Sequence, residues 1–150
     1  MRVVIQRVKR ASVSINQKMV SKISQGILIL LGIEEADSET DIVWLVKKIV
    51  NLRIFNDSQE KMNLSVKDID GDLLLVSQFT LHASTKKGNR PGFTKAARPE
   101  KANALYLDFK NELEIEMGKK IGAGKFGAMM DVELINDGPV TILIDSKSKE

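Results

Sequence analysis

The chain reads as a single α/β domain, with α+β as its near neighbour: a mixed or antiparallel, barrel-like sheet carrying two main helices. Three observations predict this. Arg2 to Ile15 alternates apolar and polar residues for much of its length, the period of a half-buried strand. Gly26–Ile33 and Leu73–Val76 are continuously apolar, as strands covered on both faces must be. Two further stretches repeat apolar residues at helical spacing: Ile42, Leu45, Val46, Ile49 and Val50, then Ala102, Leu105, Tyr106, Phe109, Leu113 and Met117. At 150 residues the chain is long enough to bury one real core, and neither an internal linker nor a repeat divides it.

After the first strand, Asn16-Gln17-Lys18 predicts a turn and Met19 to Ser24 a short partner strand. Asp37 or Ser38 caps the first helix, whose buried face Trp44 extends. Asn56–Gln59 is a polar loop, Met62–Val66 a short edge and Asp70-Gly71-Asp72 a turn. Leu73 to Phe79 is expected to be one strand. From His82 to Arg98 the chain is rich in Gly, Lys, Ser and Thr, a long loop of the kind that is usually functional or mobile. Pro99 suits the first turn of the second helix. Phe126–Ile135 and Val140–Ile144 are expected to be two strands joined at Asn136-Asp137-Gly138-Pro139, and 146–150 a frayed polar tail.

Composition narrows the chemistry. There is no cysteine and only one histidine, His82, so thiol nucleophiles, disulfides, thiolate metal sites and His-based metal centres are not expected. Hydrophobic residues make up 43% and charged residues 29%, ordinary for a soluble domain. The N-terminus lacks the apolar core of a signal peptide and no run is long enough to span a membrane, so a cytoplasmic location is expected. A net charge of +3 is compatible with an RNA partner without requiring one. Basic residues concentrate at Arg7–Arg10 and Lys86–Arg90, each of which, taken alone, reads first as a solvated positive surface.

Gly122-Ala123-Gly124-Lys125-Phe126-Gly127 matches the G-x-G-x-x-G string of dinucleotide sites, but it follows a helix and opens a strand. The pyrophosphate-binding helix N-terminus is therefore missing, and no cofactor is expected. A serine esterase would need Ser77 or Ser84 beside His82, and nothing marks the orienting acid. No carboxylate pair stands out for acid–base work. Ser77-Gln78-Phe79-Thr80-Leu81 is a polar interruption where a buried strand emerges. Backbone amides there could stabilise a developing oxyanion, or the side chains could simply end the strand with local hydrogen bonds. Asn136-Asp137-Gly138-Pro139-Val140-Thr141 is a second such interruption, made mostly of backbone.

In order, Ser77–Leu81, Lys87-Gly88-Asn89-Arg90-Pro91, Phe126-Gly127-Ala128 and Asn136–Thr141 resemble the D-aminoacyl-tRNA deacylase family. The opening Met1–Val8 and the helical Ala104-Leu105-Tyr106 are similar too, so the likeness runs from Met1 to about Ile144. Phe79 resembles the general family and not its animal-specific paralogue. Gly92 replaces the family's usual serine and Met129 a common acidic residue, which bears on substrate preference and not on the reaction.

The resemblance implies hydrolysis of the ester between a D-amino acid, or glycine, and the 3′-terminal adenosine of tRNA. It implies a homodimer whose sites each borrow a cis Gly138-Pro139 corner from the partner, its carbonyls excluding L-amino acids. Arg7, Asn136 and Thr141 are expected to support that corner. Thr80, Phe79, Gln78 and Ser77 form the catalytic segment, Thr80 acting through its amide more than its hydroxyl. Phe126 and Met130 are expected at the adenosine, and Lys87 and Arg90 at tRNA phosphates. No metal, no cofactor, no DNA and no membrane partner is implied. A non-catalytic tRNA- or RNA-binding module on the same fold is the alternative.

Overall fold

The computed structural model describes residues 1–149. In chain order it contains β1 (Arg2–Ile15), β2 (Lys18–Ile23), β3 (Gly26–Gly32), α1 (Glu39–Asn51), β4 (Phe55–Asn56), β5 (Met62–Leu64), β6 (Asp72–Ser77), a 3₁₀ turn (Phe79–His82), α2 (Pro99–Met117), β7 (Gly122–Ala123) and β8 (Asp131–Asp145). The main sheet runs β2-β1-β3-β6-β7, and β8 pairs with β1. β1 spans the whole structure: β3 occupies its first half, β2 its second, and β8 lies antiparallel along nearly all of it. The β3–β6 pair is parallel, which requires a crossover, and α1 with the β4–β5 ribbon supplies it.

Ser38 caps α1 through a reciprocal capping box with Asp41. Leu45, Val46, Ile49 and Val50 then meet Val3, Ile5, Ile29, Leu73 and Leu75 of the sheet, with Phe109 and Leu113 of α2 alongside. Each such side chain, fully buried, contributes about 1.5–3 kcal/mol. The other face of the sheet holds a smaller cluster of Val8, Val13, Leu28, Leu74 and Val76. There the sheet curls until Gly122 of β7 lies against Ser21 of β2, giving a nearly barrel-shaped body. The expected fold class, one mixed sheet with two helices, holds.

Three local expectations are corrected. First, the strand through Leu73 ends at Ser77, because the Gln78 amide spends its bond on the Leu31 carbonyl at 2.7 Å and the chain then turns off the sheet. Second, the two strands expected around Gly138-Pro139 are one strand, β8, with residues 125–130 outside it. The corner is a bulge in that strand, since both flanks pair with β1. Third, residues 146–148 are not frayed. β1 and β8 run antiparallel, so the chain ends meet: the Ser146 amide donates to the Met1 carbonyl at 2.9 Å, and Lys147 pairs with Asp41 at 2.8 Å. Burial pushes the Asp41 carboxyl up, but hydrogen bonds from Lys147, Ser146 and the Ser38 amide outweigh it and hold it well below the usual carboxylate range. The final residue of the expected tail, Glu150, lies outside the described residues.

Candidate active site

The first site piece is built where β6 leaves the sheet. Ser77 pairs with Leu31, and Gln78 is the last residue anchored to β3. Phe79–His82 then forms a 3₁₀ turn closed by Leu81 N–H to Gln78 O at 3.2 Å and Ala83 N–H to Thr80 O at 3.0 Å. The turn fits because Gly32 beneath it lacks a side chain: a Cβ there would stand 2.9 Å from Leu81 Cβ. The amides of Phe79 and Thr80 precede the turn's own hydrogen bonds, and neither finds an acceptor among the described residues. Two adjacent backbone donors are thus presented to solvent in fixed directions, the arrangement that stabilises an oxyanion.

The side chains around them frame this pair. The Gln78 side-chain amide donates to Thr80 Oγ1 at 2.5 Å, so the hydroxyl is engaged by a group unable to take its proton. Phe79 is 56% exposed, and its ring meets Phe93 edge-to-face at 5.0 Å. Phe93 was not anticipated from the sequence, because a lone aromatic in a polar loop carries no period. Its signal lay only in its position after Pro91-Gly92. The basic loop is not formless: Ser84 and Gly92 exchange two backbone hydrogen bonds, of 2.7 and 2.9 Å, and the hairpin they close leaves Lys87 and Arg90 exposed.

His82, expected to open the long loop, is instead the last residue of the 3₁₀ turn and is 2% exposed. Neither of its ring nitrogens has a hydrogen-bond partner among the described residues, so it orients neither Ser77 nor Ser84. The serine-esterase arrangement is therefore absent. A His82→Ala chain is expected to keep hydrolytic activity within a few-fold of the parent, checked by initial rates; abolition would restore that reading.

Phe126 and Met130 follow β7, which pairs with Leu74 and Leu75 of β6, and they pack on opposite faces of the sheet, Phe126 against the helix-side core and Met130 against the smaller cluster. Gly124 N–H donates to Leu75 O at 2.9 Å, and the Tyr106 hydroxyl lies 3.2 Å from both the Leu75 and Gly124 carbonyls. Burial pushes the Tyr106 phenol up to about 12, so it stays a donor. The Phe126 ring is half-buried, 5.8 Å from that of Tyr106, and Met130 is half-buried against the second core cluster.

The second site piece is the bulge in β8. Asn136 pairs with Val8 and Thr141 with Gln6, so five steps along β8 answer two along β1. The surplus projects as Asp137–Val140, with Gly138 and Pro139 exposed and the bond between them cis. Side chains fix its base. Asn136 accepts the Val140 amide at 2.9 Å and donates to Thr141 Oγ1 at 3.0 Å. Arg7, 8% exposed, donates from Nε to the Asp137 carbonyl at 3.0 Å and from a terminal nitrogen to the Ile54 carbonyl at 2.6 Å. Arg7, Asn136 and Thr141 thus converge on the corner.

Gly138 adopts φ +131°, and a Cβ there would meet Val140 Cγ2 at 2.9 Å and an Arg7 nitrogen at 3.0 Å. Gly138→Ala is expected to cost about 1–3 kcal/mol of stability, visible as a lower thermal midpoint.

Within one chain the two pieces are far apart. Ser77 lies in the row of Leu31 and Val3, whereas the corner faces Arg7, three strands across and four residues along. At strand spacings of roughly 4.8 Å and rises of roughly 3.3 Å per residue, they stand on the order of 20 Å apart. Between them, Leu30, Val4 and Leu143 are direct cross-strand neighbours on the face away from the helices. Leu30 and Val4 are half-buried and Leu143 is 64% exposed.

A family model described as D-Tyr-tRNA(Tyr) deacylase matches residues 4–145. A D-aminoacyl-tRNA deacylase of Flavobacterium psychrophilum is 63% identical over 150 residues, covering 100% of both chains. A protein of the same name from Bacteroides fragilis is 59% identical, again over 100% of both. Among solved structures, a chain described as c-Myc DNA Unwinding Element Binding Protein superimposes with a TM-score of 0.90 at 43% identity, covering 97% of this chain and 98% of that one. A second, described as a probable eukaryotic D-amino acid tRNA deacylase, gives 0.82 at 19% identity over 95% and 97%, a likeness of fold.

Proposed function

The chain belongs to the D-Tyr-tRNA(Tyr) deacylase family, and on that premise we propose that it hydrolyses the ester joining a D-amino acid, or glycine, to the 3′-terminal adenosine of tRNA. The observation that carries the chemistry is the pair of unpartnered amides at Phe79 and Thr80. An aminoacyl ester is already activated, and the neighbouring ribose hydroxyl can position water, so the protein need only orient the ester and stabilise the developing oxyanion. Thr80 is not the nucleophile on this reading, since its hydroxyl is held by Gln78 and no base adjoins it.

Ser77 and Gln78 then bond the substrate amine or ribose, Phe126 and Met130 line the adenine, and Lys87 and Arg90 meet phosphates, contributing affinity without sequence choice. Phe126 would present only the part of its ring that Tyr106 leaves open. Selectivity comes from the Gly138-Pro139 corner of a second copy. The separation of the two pieces within one chain supports this, because only another chain can close a gap of some 20 Å. The apolar row Leu30, Val4 and Leu143 supports a two-fold contact on that face. The corner's carbonyls would leave no room for an L side chain, whereas a D side chain points away.

The nucleic acid acted on is tRNA and not DNA, because only tRNA carries the scissile aminoacyl ester. The protein works in the cytoplasm with that substrate; no helix among the described residues is long and apolar enough to cross a membrane. Incubation with D-Tyr-tRNA and L-Tyr-tRNA at catalytic protein concentrations is the test. Release of only the D-amino acid is expected. No ester loss from either form, with tRNA still bound, would leave a non-catalytic RNA-binding module instead.

A further inference from the structure

Arg2 is assigned no role by the family likeness, yet it holds the turn that carries the two free amides. Its Nε donates to Asp145 Oδ2 at 2.7 Å, and its NH1 donates to the Leu81 carbonyl at 3.1 Å. The Arg2 side chain is one-third exposed and that of Asp145 is mostly buried. The other carboxylate oxygen of Asp145 accepts the Lys147 amide at 2.9 Å, so the anchor is itself fixed. Burial pushes the Asp145 carboxyl up, but the Arg2 and Lys147 hydrogen bonds overcome that and hold it below the usual carboxylate range.

Beyond the packing of Leu81 and His82 over Gly32, the turn has few hydrogen bonds to the rest of the fold. The carbonyls of Gln78 and Thr80 are taken by Leu81 and Ala83, that is, by the turn and the residue after it. The Gln78 amide ties its start to β3. Among the described residues, Leu81 O is the one turn carbonyl held by a side chain, and that side chain starts from the opposite end of the sequence. Without it, Leu81 O loses its tether and the turn is held at that end by packing of Leu81 and His82 over Gly32 alone, which leaves the Phe79 and Thr80 amides free to tilt.

We propose that Arg2, braced by Asp145, is a positioning residue for ester hydrolysis: by clamping Leu81 O to the joined ends of β1 and β8, it sets the direction of the Phe79 and Thr80 donors. This rests on the deacylase reading above. The clamp needs two donors held at a fixed angle, which a planar guanidinium has and an ammonium lacks. Arg2 reaches the turn through the Leu81 carbonyl, so its role is to position the donors.

The test compares full-length wild-type, Arg2→Ala, Arg2→Lys and Asp145→Asn chains on D-Tyr-tRNA, with hydrogen exchange of residues 78–83 measured on the same samples. Misdirected donors are expected to lower kcat about 10–100-fold for Arg2→Ala with KM little changed. Exchange should quicken at Leu81 and Ala83 while the β1–β3 amides stay protected. Arg2→Lys should recover part of kcat, since an ammonium reaches one acceptor. Asp145→Asn should shift both readouts in the same direction, and the Arg2→Ala/Asp145→Asn pair should be no worse than Arg2→Ala alone. Wild-type kcat in Arg2→Ala, a rise in KM alone, or exchange quickening across the whole sheet would each overturn the proposal. If the wild-type chain releases no amino acid, the deacylase reading falls, while the exchange comparison still decides whether Arg2 holds the turn.

Discussion

Replacing Phe79 by proline is expected to lower kcat for D-Tyr-tRNA by about 10²–10³-fold, the usual loss when one oxyanion donor is deleted. Proline removes the Phe79 N–H and nothing else from the backbone. The residue opens the 3₁₀ turn, where a fixed φ near −65° is tolerated and no intraturn hydrogen bond uses that N–H. Gln78 before it has φ −144° and ψ 79°, outside the helical region that a following proline disfavours. Loss of the ring is a separate matter, so Phe79→Ala is the control. It forfeits the edge-to-face contact with Phe93, about 0.5–1.5 kcal/mol, but keeps the donor.

Thr80→Val completes the series: it removes the hydroxyl held by Gln78, keeps the amide, and is expected to retain activity near that of the parent. Single-turnover rates for the three chains separate the possibilities. Equal rates for Phe79→Pro and Phe79→Ala would remove the amide from the mechanism. Complete loss in Thr80→Val would return the hydroxyl to it.

Arg7→Ala is expected to weaken both the fold and the discrimination between D- and L-aminoacyl esters. The guanidinium is buried and donates to two carbonyls on different elements, Ile54 after α1 and Asp137 in the bulge, with the Asp137 carboxylate 3.5 Å away. Truncation leaves those carbonyls short of a donor, a loss of about 2–4 kcal/mol when the partly exposed Asp137 is allowed for. For a chain of this size that is roughly 5–15 °C in Tm.

The selective effect follows from geometry. Arg7 anchors the residue immediately before Gly138, so without it the corner is held only by Asn136 and its own flanks. An exclusion that works by position fails when the position relaxes. The ratio of kcat/KM for D-Tyr-tRNA to that for L-Tyr-tRNA should therefore fall. Arg7→Lys should restore part of the stability and little of the ratio, since a single ammonium reaches one carbonyl but not both. An unchanged ratio in Arg7→Ala, measured well below its lowered Tm, would show that the corner needs no such anchor.

Much of this protein was legible in its residues. The two-residue period of Arg2–Ile15, the apolar runs at Gly26–Ile33 and Leu73–Val76, and the helical spacing in α1 and α2 are local consequences of which face each segment buries. Ser77–Leu81 and Asn136–Thr141 stood out as site pieces because polar residues interrupted apolar strands, and their order carried the family likeness. Even the supporting set of Arg7, Asn136 and Thr141 was nameable on that likeness.

What only the tertiary structure decided was pairing across long separations. No local period says that β8 runs unbroken beside β1, so the corner was expected as a joint between strands and is a bulge in one. Nor does it say that Arg7 reaches Ile54, that Phe93 packs on Phe79, or that Arg2 meets Leu81. The chain was also expected to fray from Ser146 onward, but Ser146 is buried because antiparallel pairing returns it to Met1. Secondary structure follows from the burial of each segment's own face, which neighbouring residues encode. Register follows from which distant partners fill the remaining edges, and it is register that puts Ser77–Leu81 and the Gly138-Pro139 corner at separate places on the sheet.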